Sequence, residues 1–126
     1  MEEQTIMNTP IGTKDQEKKK LDPAKVKIVK VRVELVEKAK RNKAIFTCKY
    51  PDREETLDIS AVSFLDGKNV KTVGTWINLD EEDKLQKGTG LTVFIAKLGA
   101  NNLSECEGKE IETELDDSGY LVFKAY

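Results

Sequence analysis

Residues Lys25 to Val36, KVKIVKVRVELV, alternate apolar and polar side chains, and their β-branched content marks them as a strand. The alternation changes phase once. Val26 and Ile28 share one parity, whereas Val29, Val31, Val33 and Leu35 share the other. One extra residue between the two sets, a β-bulge, returns the apolar side chains to a single face and bends the strand. A long, bent first strand allows a small sheet to curl towards a barrel.

Upstream, Leu21-Asp22-Pro23 leads into this strand, with Pro23 placed where no ladder amide is needed. Residues 1–22 are polar, contain Pro10 and Gly12, and carry the basic run Lys18-Lys19-Lys20. They are expected to form a disordered basic tail, leaving residues 23–126 as one domain. The tail has no apolar core of a secretory signal, and no run approaches the roughly 20 apolar residues of a membrane span. A soluble, cytoplasmic chain with no membrane partner is the expectation.

Downstream, the turn Glu37-Lys38-Ala39-Lys40-Arg41-Asn42-Lys43 leads to a second strand, Ala44 to Tyr50. Here Ala44, Phe46, Cys48 and Tyr50 alternate with Ile45, Thr47 and Lys49. Pro51-Asp52-Arg53-Glu54 has turn chemistry. A third strand, Glu55 to about Val62, places Leu57, Ile59 and Ala61 on one face. Ser63 to Asn78, with a turn at Asp66-Gly67-Lys68, reads as irregular structure or a short strand near Gly74 to Asn78. An acidic loop or single helical turn, Leu79 to Leu85, follows.

Leu91, Phe94, Ile95 and Leu98 fall on one helical face. Thr89 is placed to cap that helix and Gly99 to end it in the left-handed conformation. A second short helical turn is expected at Leu103 to Cys106, capped by Ser104 and closed by Gly108. The chain then ends in a hairpin, Lys109–Leu115 and Tyr120–Tyr126, around Asp116-Asp117-Ser118-Gly119. Apolar residues of both parities in the last strand indicate cover on both faces.

The predicted order is three strands, an irregular stretch with a helix, then two strands. In this layout the chain resembles OB-fold nucleic-acid-binding domains over Pro23 to Tyr126. The closing segment, Gly88-Thr89-Gly90-Leu91, an apolar helix, Leu103-Ser104-Glu105-Cys106-Glu107-Gly108-Lys109 and the hairpin, resembles small viral or archaeal single-strand-binding-like proteins. The resemblance implies a mainly β, five-stranded, OB-like Greek-key barrel with one helix between strands 3 and 4. Other small β-barrels and an open α+β sheet are alternative readings of the same order.

Catalytic chemistry finds little to work with. There is no histidine, so the commonest general base is missing and Cys48 and Cys106 have no imidazole to activate them. Asp80, Glu81, Glu82 and Asp83 are consecutive and diverge, and they lack the alternation and glycine of a calcium loop. Lys87-Gly88-Thr89-Gly90 lacks the Gly-Lys-Ser/Thr ending of a phosphate loop. No enzyme activity, metal or cofactor is expected.

Charge is more informative. The net charge is −2, yet residues 1–53 carry +6 and residues 54–126 carry −8. A solvated, charge-rich surface explains much of this. The basic half also supplies what single-stranded DNA or RNA requires, cations along a groove beside exposed aromatic faces. Lys25, Lys27, Lys30, Arg32, Lys38, Lys40, Arg41, Lys43 and Lys49 are the cations, with Lys30, Arg32 and Lys49 expected on the outer surface. Of the eight aromatics, Phe46, Phe94 and Phe123 read as core. Tyr50, Phe64, Trp76 and Tyr126 are candidates for exposure, with Trp76 the first choice for stacking. The contrasting reading is a structural or protein-interaction module that self-associates or pairs its last strand or a free sheet edge with a partner.

Overall fold

The computed structural model describes residues 22–126; the expected tail, apart from Asp22, lies outside the described residues. Strand β1 spans Val26–Val36 and β2 spans Arg41–Lys49, paired antiparallel. Their register runs from Ile28 opposite Cys48 directly to Lys30 opposite Thr47, so Val29 is the extra residue of a bulge. The predicted phase change therefore has its predicted cause.

Val26 and Ile28 are buried, and Val31, Val33 and Leu35 lie across from Phe46, Ala44 and Asn42 on the same face. Burial does not follow face to the end of the strand. Val33 is 51% exposed and Leu35 63%, because the β1–β2 hairpin runs on past the core. The turn 37–40 closes it, with Lys40 at φ +51°, left-handed without being glycine.

β3 (Thr56–Ile59) pairs antiparallel with β2, and β4 (Ala61–Asp66) begins one residue later, beyond Ser60. The third strand is thus longer than expected and passes from one sheet to the other at Ser60. Gly67, at φ +65°, turns β4 into β5 (Asn69–Gly74), a full strand in a stretch expected to be mostly irregular.

After the helix α1 (Gly90–Lys97) come β6 (Glu110–Ile111), β7 (Thr113–Leu115) and β8 (Leu121–Ala125). One sheet has the order β3-β2-β1-β6 and the other β5-β4-β8-β7, with β4 and β8 parallel. Among the described residues the molecule is mainly β, with one α-helix and a strongly curled, half-barrel sheet.

Helix α1 forms where the apolar spacing placed it. Thr89 Oγ1 accepts from the Thr92 amide, and Gly99 at φ +73° ends the helix, with its amide donating to Ala96 and that of Ala100 to Ile95. Gly90 must be small, since a Cβ there would collide with Val73 Cγ2 and approach Phe64 and Val62 at 3.1 and 3.2 Å. The later turn, a 3₁₀ segment at Ser104–Cys106, is capped differently from expectation. Ser104 makes no cap bond; Asn102 Oδ1 accepts from the Glu105 amide at 2.9 Å.

The core lies between the two sheets and under α1. Phe94 and Phe123 stack with centroids 4.4 Å apart, and Phe46 makes T-shaped contacts with each at 5.0 and 5.4 Å. On β8, Leu121, Val122, Phe123 and Ala125 are all buried, so that strand is covered on both faces as its sequence indicates. Both cysteines are buried, and desolvation pushes the Cys48 thiol up to about 12 and that of Cys106 up to about 11. Neither thiol should react with an aromatic disulfide reagent at pH 8 in the native protein, and both should react in denaturant. Rapid native labelling of Cys48 would contradict its place in the core.

Candidate nucleic-acid interface

Residues facing one another across an antiparallel ladder share a side of the sheet, so the β1–β2–β3 register fixes which groups meet outside. Along β2 the outer side chains are Arg41, Lys43, Ile45, Thr47 and Lys49. Their partners on β1 are Val36, Glu34, Arg32, Lys30 and Lys27. Asp58 and Thr56 on β3 stand beside Thr47 and Lys49. Six of the expected site residues sit on this face or its closing turn as basic groups besides Arg32: Lys30, Lys38, Lys40, Arg41, Lys43 and Lys49.

The middle of the face is an internal ion-pair hub. Arg32 donates to Asp58 through Nη2 at 2.8 Å and Nη1 at 3.3 Å, to Glu34 through Nε at 2.7 Å, and to Thr47 Oγ1 at 3.2 Å. The Thr47 hydroxyl also donates to Asp58 at 2.8 Å. Arg32, expected as a contact for phosphate, is therefore already engaged by two carboxylates. The hydrogen bond from Arg32, then that from Thr47, holds the Asp58 carboxyl below its ordinary range. A depressed folded-state pKa gives stability that is present above the ordinary carboxylate range and lost as pH falls through it and below. Asp58→Asn should thus lower the melting temperature at pH 7, with the gap from wild type narrowing as pH falls through and below the ordinary carboxylate range. A gap independent of pH would rule out the ion pair as its cause.

At one end of β2 the geometry changes character. Residues Thr75–Ile77 occupy the flank of β2 that β3 leaves open. The Ala44 amide donates to Thr75 O at 2.9 Å, the Ile77 amide to Asn42 O at 3.0 Å, and Thr75 N to Ser60 O at 2.9 Å. This places Trp76 opposite Lys43. The indole is half-buried, with Lys43 Nζ 4.9 Å and Arg41 Cζ 5.0 Å from its ring centroid. Asn78 Oδ1 accepts from Arg41 Nη2 at 2.5 Å and orients the guanidinium. Gly74 leaves the room required, since a Cβ there would come within 2.7 Å of Trp76 Nε1 and 3.0 Å of Lys43 Cε. The basic turn carrying Lys38 and Lys40 adjoins this group, and both residues are exposed.

Two aromatics leave the candidate set. Tyr50 is 6% exposed, with its hydroxyl donating to the Asp22 carbonyl at 3.2 Å, and Phe64 is 8% exposed beneath α1. Both were expected as stacking surfaces, and both rings instead fill the core, where apolar area is worth more than it is in solvent. Tyr126 is partly exposed, with its hydroxyl donating to Glu114 at 2.6 Å and Lys124 Nζ 5.1 Å from its ring. Asn78 and Gly74 gave no local signal. Their roles depend on a contact between segments 37 residues apart, as in the Arg41–Asn78 bond.

The other candidates resolve simply. Asp80 Oδ1 accepts from the amides of Glu82 and Lys84, and Asp83 adopts φ +60°, so the acidic run is a self-closed loop. Among the described residues no three acidic or thiol side chains converge as a metal site. No helix among them is long and apolar enough to cross a membrane. The segment Lys87–Gly90 serves as the helix cap through Thr89, and its Gly90 packs against β4 and β5. No protein-family model, curated protein or solved structure matches this chain.

Proposed function

We propose that this protein binds single-stranded DNA or RNA without sequence preference, with Trp76 as stacking platform and Arg41, Lys43, Lys38 and Lys40 as phosphate contacts. The observation that carries this reading is the convergence of two cations within 5.0 Å of the sole tryptophan, beside an exposed basic turn. A base has a π-face that suits an indole and a guanidinium alike, while its phosphate suits the ammonium groups. Lys30 and Lys49 extend the basic surface along the sheet, and Arg32, Tyr50 and Phe64 take no direct part.

The strand pairings support an OB-like reading of the fold. With β3/β4 taken as one ribbon bent at Ser60 and β6/β7 as one bent at Glu112, the ladders run β1–β2–β3/β4–β8–β7/β6 and return to β1. That makes five ribbons with a helix between the third and fourth, and β5 as an added hairpin arm. In that layout the face of strands 2 and 3 and the loop between strands 1 and 2 hold oligonucleotides. Those are the surfaces that carry Arg41, Lys43, Lys38 and Lys40.

Titrating oligo-dT at low salt should quench Trp76 emission, and filter retention should fall steeply when salt is raised. Unchanged emission together with no retention would reject the reading. The second reading, a protein-interaction module, is favoured by β5, a sheet edge with no further strand on it among the described residues, where Val70 and its cross-strand neighbour Leu65 are both exposed. The last strand, β8, is paired on both sides and offers no edge. Self-association insensitive to moderate salt, without oligonucleotide binding, would select this reading.

A further inference from the structure

At the far end of β2 from Trp76 lies an open hollow of about 530 Å³, lined by Lys25, Lys27, Lys49, Tyr50, Pro51 and Glu110. Lys27 and Lys49 are direct partners in the β1–β2 ladder, so two ammonium groups start from adjacent backbone positions on one side of the sheet. Like charges placed directly opposite in a ladder repel and reduce stability. Glu110 stands opposite Lys27 on the other flank, through the β1–β6 ladder. Even so, no carboxylate among the described residues lies within 4.0 Å of Lys25, Lys27 or Lys49, whereas Arg32 two strand positions beyond Lys30 is fully paired.

The floor and walls of the hollow are held firmly. The Ala24 amide donates to Thr113 Oγ1 at 3.0 Å and that hydroxyl donates back to Ala24 O at 2.6 Å, which fixes the backbone just before Lys25. Tyr50 is anchored through its hydroxyl to Asp22, and Pro51 is rigid by its ring. The bulge at Val29 is tied down by two backbone bonds, Ile28 N to Lys109 O at 2.8 Å and Gly108 N to Ile28 O at 2.7 Å. Three cations with no carboxylate partner among the described residues thus rise around one hollow from a fixed backbone.

We propose that this hollow is a seat for a phosphate group bearing more than one negative charge, either the terminal phosphate of a nucleic-acid strand or a free polyphosphate. A terminal phosphate carries about −1.5 to −2 charge and several acceptor oxygens, which suits two lysines at facing ladder positions and a third lining the same hollow. An internal phosphodiester, with a single charge, satisfies the group less well. The seat stands on its own geometry and does not need Trp76 to bind a base.

The test is a thermal melt of the full chain with sodium tripolyphosphate, against sodium chloride of equal ionic strength. The wild type should gain at least about 5 °C over the salt control once tripolyphosphate exceeds its Kd a hundredfold. Lys27→Gln and Lys49→Gln should each lose that gain, and Lys49→Gln, whose other ladder partner is the uncharged Thr56, should melt about 1–2 °C higher than wild type without ligand because the repulsion is relieved. Lys68→Gln, in the β4–β5 turn, should keep the gain. A wild-type shift no larger than that of sodium chloride, or one that survives both substitutions, would overturn the seat.

A second arm identifies the source of the phosphate. Oligo-dT carrying a 5′-phosphate binding several-fold tighter than its 5′-hydroxyl form, with the preference lost in Lys49→Gln, assigns the seat to a strand end. Equal binding alongside a tripolyphosphate shift assigns it to a free polyphosphate. Because the melt does not involve Trp76 emission, failure of the seat and failure of the stacking surface are separately readable.

Discussion

Phe46→Ala should lower unfolding stability by about 3–5 kcal/mol, much of what a domain of this size possesses. Phe46 is fully buried on β2, between Val31 of β1 and Ile59 of β3, and it makes T-shaped contacts with both Phe94 and Phe123. Deleting its ring removes contacts to the other sheet and to the helix at once. Neighbours pinned by two ladders cannot collapse into the space. Urea denaturation followed by circular dichroism measures the loss. Val33→Ala, on the same face of the sheet but past the core, should change stability by no more than about 0.5 kcal/mol. Equal losses at the two positions would show that the core does not centre on the Phe46–Phe94–Phe123 cluster.

Trp76→Ala should weaken oligo-dT binding by about 5- to 150-fold, the range expected when a stacked base loses its platform. Trp76→Phe should restore part of it, because a smaller ring still offers a π-face. Arg41→Gln with Lys43→Gln acts on a different component of the affinity. Each phosphate contact removed should flatten the plot of log K against log salt by about 0.7 for a single strand. Circular dichroism melts of each variant separate a lost contact from a lost fold, as Thr75–Ile77 is held to β2 by backbone bonds that these substitutions leave in place. Affinity within twofold of wild type for Trp76→Ala would remove the tryptophan from the interface.

Much of the fold is legible in short windows of sequence. The bulge at Val29 follows from a single change of parity, and the caps of α1 follow from Thr89 and Gly99. The last hairpin follows from Asp116, whose Oδ1 accepts from the amides of Ser118 and Tyr120. Strand β5 escaped because Asn69–Gly74 has only two apolar residues and is an edge strand, most of which is exposed. The split of the third strand escaped as well. Ser60 has no bulge or proline signal, and the transfer between sheets is decided by what β2 and β8 offer on either side.

The candidate site is legible only as a set of residue types. Lysine and arginine content marks the basic half, but nothing local separates Arg32, which is consumed by Asp58 and Glu34, from Arg41, which lies over an indole. Nor does alternation alone separate Tyr50 and Phe64, both buried, from Trp76, half-buried at the surface. Such distinctions depend on distant partners: Asp58 is 26 residues from Arg32, Asp22 is 28 from Tyr50 and Asn78 is 37 from Arg41.

Sequence by itself determined the mainly β character, the kink in the first strand, the helix with both of its ends, and the three phenylalanines of the core. Each of these comes from interactions among near neighbours or from a periodicity that the chain cannot escape. Tertiary structure alone decided which cations are engaged by carboxylates, which aromatics are covered, and that Trp76 meets Arg41 and Lys43. Those outcomes depend on the register between distant strands, where a shift by one residue would turn every side chain to the opposite face.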